Sequence, residues 1–142
     1  MTFELSDEQT LIDGGIRVTA VRLLVLRTIK QNLKNAFGIN DLEQLLPTVD
    51  RSTLFRTLNV LTEGGLLHEI DDGTGAQKYC ICHCEDHHHH RGHVHLTCTE
   101  CHQTFCLRNV EIPAVPLPTG FTVLHAEYVV KGLCTECQNK HK

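Results

Sequence analysis

Two Cys-x-x-Cys pairs, Cys98-Thr-Glu-Cys101 and Cys134-Thr-Glu-Cys137, constrain this chain more than any other feature. Two such pairs can supply the four thiolates of one tetrahedral structural zinc. The interval between them is long enough for a hairpin or a small sheet. Disulfides are the competing use of such cysteines. They are rare in the cytoplasm, and that location is expected here because Met1-Thr-Phe-Glu-Leu-Ser has no basic region followed by an apolar run. The pairs also divide the chain. Every cysteine lies at Cys80 or later, and His68 is the only histidine before it. One half is built around metal and the other is not.

With 142 residues the chain has room for one ordinary domain or two small ones. It has no Trp and few aromatics, so its cores must be modest and a metal would help the C-terminal half fold. No stretch is long and apolar enough to span a bilayer, so no membrane partner is expected. The net charge of −4 argues mildly against nucleic acid, although a local basic surface overrides a total.

In the N-terminal half, Thr19 reads as the cap of a helix beginning at Ala20. Val21, Val25 and Ile29 form its apolar stripe, and Arg22, Arg27, Lys30 and Lys34 cluster on the opposite side. That basic arc suits either phosphate or plain solvent. A second short helix runs from Asn40 and stops before Pro47. The third starts near Asp50 or Ser52 and ends at Gly64-Gly65. Leu54, Leu58 and Leu61 face its core; Ser52, Phe55, Arg56 and Asn59 share the other face, a stripe of groove-reading residue types. Leu66–Ile70 and Gln77–Ile81 look like two strands around a turn-rich loop. Helices followed by a hairpin give the order of a winged helix-turn-helix, with any small α+β domain as the plainer alternative.

Residues 82–92 form a His- and Cys-rich insert that reads as a hinge between halves; it would bind extra zinc or serve as a solvated linker. Beyond it, His93–Cys98, Thr104–Arg108 and Phe121–Val130 read as strands, while Pro113, Pro116 and Pro118 exclude a long helix between them. His93 and His95 alternate, so both imidazoles project to one side. Cys106 reads as a buried strand cysteine, or a redox-labile one if exposed.

These fragments resemble the ferric uptake regulator family, and most of all its zinc uptake regulator branch. The resemblance rests on Gly15-Ile-Arg-Val-Thr-Ala-Val-Arg, on Ser52-Thr-Leu-Phe-Arg-Thr-Leu-Asn-Val-Leu (where the family aromatic is more often Tyr), and on His93-Val-His-Leu-Thr-Cys-Thr-Glu-Cys and Gly132-Leu-Cys-Thr-Glu-Cys. It implies an α+β chain: an N-terminal winged helix-turn-helix over residues 1–81, then a small C-terminal α/β dimerisation domain over residues 93–142 with a four-cysteine zinc site. The function implied is a metal-dependent, zinc-responsive repressor that binds double-stranded operator DNA as a homodimer and has no small-molecule substrate. Iron, nickel or peroxide regulators of the same family, or a zinc-buffering protein, are the alternatives.

The resemblance further implies about two zinc ions per subunit, one closed and one exchangeable. Cys98, Cys101, Cys134 and Cys137 hold the structural ion. His68, Cys80, His93 and His95 form the sensor set, three nitrogens and one sulfur. A third site would draw on Glu111 and His125. Gly92 and Val94 stand where its remaining ligands belong and cannot ligate, which leaves His89 or His90 from the insert. For DNA, Arg56 is expected at base edges and Phe55 against thymine methyls. Ser52, Thr53 and Asn59 are expected at phosphate or bases, and Arg17, Arg22, Arg27 and Lys30 at phosphates. The pattern His125-Ala-Glu127 before Cys134-Thr-Glu-Cys137 mimics a zinc deaminase. It lacks the proline before Cys134 and the helix-length interval, so no enzyme is expected.

Overall fold

The computed structural model describes residues 6–71, 73, 75–81, 94–107, 110–111, 113–124 and 128–141. The chain divides into two compact units, Met1–His83 and Cys84–Lys142.

The first unit runs α1 (Asp7–Asp13), α2 (Ala20–Asn32), α3 (Ile39–Leu45), α4 (Arg51–Glu63), β1 (Leu67–Ile70) and β2 (Lys78–Ile81). Its helices start where side chains satisfy orphan backbone amides. Ser6 accepts from the Gln9 amide, Thr19 from Arg22 and Asp50 from Thr53. Leu54, Leu58 and Leu61 are buried together on one face of α4 and meet Leu11, Val25, Leu26, Ile29 and Leu42. Each fully buried leucine contributes about 1.5–3 kcal/mol. Phe37 and Tyr79 exchange two backbone hydrogen bonds of 2.8 Å, so the loop before α3 is tied to the wing.

One carboxylate pins α1 to α2. Asp7 accepts from Arg27 Nε at 2.9 Å and from Lys30 Nζ at 2.8 Å. Burial opposes its charge, but these two cations hold its carboxyl below the ordinary value. Arg27 and Lys30, two of the expected phosphate contacts, thus share their charge with a carboxylate of the same unit. The spacing of 20 and 23 residues between partners hides this from a local sequence pattern.

At the end of α4, Gly64 packs against Ile16. A Cβ there would lie 2.7 Å from Ile16 Cγ1 and 3.1 Å from the Gly14 carbonyl oxygen. Gly64→Ala is expected to destabilise the first unit by about 1–3 kcal/mol through overpacking. Urea unfolding followed by the helix signal measures this; an unchanged midpoint would show that Ile16 gives way.

The second unit contains β3 (Val94–Cys98), β4 (Thr104–Leu107), β5 (Tyr128–Gly132) and α5 (Thr135–Asn139). The strand order is β4-β3-β5, with β3 antiparallel to β4 and parallel to β5. The strand expected over Phe121–Val130 is shorter than its alternation suggests. Phe121 to Leu124 form no strand, and regular pairing begins at Tyr128. Phe121, Val123 and Leu124 are all exposed, so among the described residues neither face of that segment is covered. Among the described residues, no helix is long and apolar enough to cross a membrane.

Candidate metal centres and recognition surface

Among its described residues, the second unit buries one aliphatic side chain, Val94. Its core cluster among the described residues is Cys98, Cys134 and Cys137, with Phe105 packed against it. Cys98 ends β3, Cys101 sits in the turn after it, Cys134 caps α5 and Cys137 lies inside α5. The turn is sharp: His102 adopts φ 63, left-handed, and the Cys98 amide donates to the Gln103 carbonyl at 2.9 Å.

All four Sγ atoms lie within 4.8 Å of one another. Cys101 and Cys134 Sγ are 3.8 Å apart. A tetrahedral shell with arms of about 2.3 Å has edges of about 3.8 Å, whereas a disulfide would require about 2.05 Å. The residues therefore fit a closed four-thiolate zinc. The Cys101 amide, donating to Cys98 Sγ, holds that thiol down at about 6. The Cys137 thiol is pushed up to about 12, first by its hydrogen bond to Cys134 and then by burial. A cation would displace the protons these thiols share.

Three of the expected sensor residues, His68, Cys80 and His95, fall on hairpins. In the first, His68 on β1 stands directly opposite Cys80 on β2, so both side chains share one face of the wing. In the second, His95 on β3 stands opposite Cys106 on β4. His95 is buried, and its ring nitrogen lies within 4.8 Å of Cys106 Sγ. His93 lies outside the described residues. Cys106 is the ligand candidate that the sequence reading missed. The signal was available: counting outward three residues from the Cys98–Gln103 closure brings His95 opposite Cys106.

For the third site, Glu111 is exposed beyond β4. His125, His89 and His90 lie outside the described residues, as does the 82–92 insert.

On α4, the sequence-expected readers Ser52, Phe55 and Arg56 are exposed, and Asn59 is half-buried. Arg56 is held loosely, with Nε 3.4 Å from the Ser52 carbonyl oxygen and Nη2 3.5 Å from Thr53 Oγ1. Ser52 and Thr53 both donate their hydroxyls to Asp50, which leaves them as acceptors. Arg17 is exposed; Arg22 is half-buried and donates to the Arg17 carbonyl at 2.8 Å.

The hydroxyl of Ser52, then that of Thr53 and its amide, hold the Asp50 carboxyl at about 2. The folded value lies below the ordinary 3.8, so the charged cap stabilises α4 above that pH and its contribution fades as pH falls through about 2. Asp50→Asn is expected to lower the unfolding midpoint at neutral pH. Parent and variant curves should converge as acid is added, and a gap independent of pH would contradict this.

A model of the ferric uptake regulator family matches residues 13–118. The ferric uptake regulation protein of Neisseria gonorrhoeae is 24% identical over 147 residues, covering 98% of this chain and 98% of that protein. The zinc uptake regulation protein of Escherichia coli K12 is 26% identical over 137 residues, covering 92% of this chain and 78% of that protein. Among solved structures, a zinc uptake regulator complexed with zinc and DNA aligns with a TM-score of 0.67 at 23% identity, over 94% of this chain and 91% of that one. That last likeness is one of fold.

Proposed function

The chain belongs to the ferric uptake regulator family of metal-responsive transcription regulators, which are not enzymes, and we propose that it is a zinc-responsive repressor gripping operator DNA as a homodimer. The observation that carries zinc over the family's other metals is the second thiolate, Cys106, opposite His95. The proposed sensor set is His68 and Cys80 from the first unit with His95 and Cys106 from the second. Cys106 then takes the place expected for His93. Two imidazoles and two thiolates suit tetrahedral zinc, and thiolates disfavour manganese and weaken the case for iron. A second ion per subunit would sit in the four-cysteine cluster. Glu111 with His125, His89 or His90 has no part in the proposed mechanism.

His68 and Cys80 lie on the wing that directly follows α4, and His95 lies on the strand that ends at Cys98. When bound, the sensor ion would supply a cross-link between ligands of both units. Held by all four ligands, the DNA-reading unit loses freedom relative to the dimerising unit. In a dimer that selects one spacing of two α4 helices for two half-sites. Arg56, Phe55 and Asn59 would meet base edges, with Ser52, Thr53, Arg17 and Arg22 at the strand backbone. The exposed apolar run Val115, Leu117, Phe121 and Leu124 supports a second copy as partner in the second unit, since such surface rarely stays uncovered. Work in the cytoplasm fits free thiols.

The test uses protein that retains its structural zinc and an inverted-repeat duplex selected from a random pool. Mild chelation is expected to lower bound zinc from about two to about one per subunit. Duplex affinity should fall by about 5–150-fold. Equal affinity in both states would overturn the proposal.

A further inference from the structure

In the first unit a cavity of about 660 Å³ opens beside the first turn of α4, lined by Asn40, Arg51, Ser52, Phe55, Gln77 and Tyr79. Resting on the DNA-binding reading above, we propose that this cavity seats the sugar-phosphate backbone of one DNA strand and that Arg51 holds its phosphate. Arg51 was not among the residues expected at DNA, because in sequence it is only the first residue of a helix.

Two bonds orient its side chain. Arg51 Nη1 donates to Asn40 Oδ1 at 2.8 Å and to Glu43 Oε2 at 2.7 Å. Both bonds use that one nitrogen; among the described residues, none uses Nε or Nη2. The edge left open is the two-pronged fork that matches phosphate oxygens. The Arg51 side chain remains 55% exposed, so solvent and ligands reach it. Two α3 side chains thus fix its orientation in advance, which lowers the ordering cost of contact.

The choice of occupant follows from the lining. Ser52 and Phe55 belong to the same exposed α4 face as Arg56, and Gln77 and Tyr79 come from the wing side. A strand whose bases meet Phe55 and Arg56 carries its backbone through the space between helix and wing. The open Nε–Nη2 edge of Arg51 faces that strand with donors for its phosphate oxygens, while Glu43 offsets part of its charge at 2.7 Å.

The experiment measures binding of the zinc-loaded full chain to operator and to scrambled duplex over a salt series. Arg51→Ala, Arg51→Lys and Arg56→Ala are compared with the parent, and far-ultraviolet circular dichroism confirms equal helix content. Arg51→Ala is expected to weaken both duplexes by the same factor and to make the log K against log salt slope shallower by about 0.9. Arg51→Lys should restore the slope but only part of the affinity. Arg56→Ala should instead erode discrimination between the duplexes. The proposal is overturned by an Arg51→Ala slope equal to the parent's, by failure of Lys to restore it, or by a loss confined to operator. A zinc-loaded parent that binds neither duplex overturns the DNA-binding reading itself, and this proposal with it.

Discussion

Serine at Cys134 is expected to unfold the second unit and leave the first intact. The cause is the makeup of that unit's core. Cys98, Cys134 and Cys137 are the buried cluster, and Phe105 is the one partly buried apolar side chain packed on it among the described residues. Among the described residues, three short strands and a five-residue helix bury little apolar surface to set against the cost of their ordering. A structural zinc supplies roughly 10–16 kcal/mol, comparable to the whole stability of an ordinary domain. Hydrogen exchange resolves the outcome by segment. Amides of β3, β4, β5 and α5 should lose protection in Cys134→Ser and in protein stripped by a strong chelator. Amides around Leu54, Leu58 and Leu61 should keep theirs, because that core contains no metal ligand. Persistence of second-unit protection in metal-free protein would show that the four thiols are not what holds it.

Local signals were legible where one residue type does one job. Thr19 and Asp50 cap their helices as their side-chain chemistry suggests, and the leucine stripe of α4 faces the core. The four cysteines converge because β5 runs parallel to β3 and brings the start of α5 beside the turn that follows Cys98. Harder features depend on pairing across the chain. Asp7 bonds both Arg27 and Lys30 of the basic arc of α2, a matter of how α1 packs. Helix α1 itself is only seven residues and α5 only five, too short for a periodic pattern to stand out. The alternation of Phe121–Val130 promised a long strand, yet Phe121 to Leu124 stay exposed without a partner. Arg51 gained meaning only once Asn40 and Glu43 were seen to orient it. Cys106 needed the β3–β4 register, which sets it opposite His95.

Exchange of Cys106 for serine therefore carries the second large expectation. Opening a four-ligand shell to water should cost well over the roughly 10–100-fold that loss of a merely supporting contact costs in metal affinity. Cys106→Ser, Cys80→Ser and His95→Ala are each expected to lose the exchangeable ion while retaining the four-cysteine one, so bound zinc falls from about two to about one per subunit. With cobalt in the exchangeable site, the thiolate-to-metal absorption should drop by about half in either cysteine variant, since each removes one of two proposed sulfur ligands. Operator affinity in zinc should fall to that of the chelated parent, about 5–150-fold lower. His93→Ala is the opposing case: with Cys106 as fourth donor it should retain its second ion and its DNA affinity. If His93→Ala empties the site and Cys106→Ser does not, the fourth position belongs to His93. The donor set is then three nitrogens and one sulfur, and the preference for zinc loses the second thiolate on which it rests.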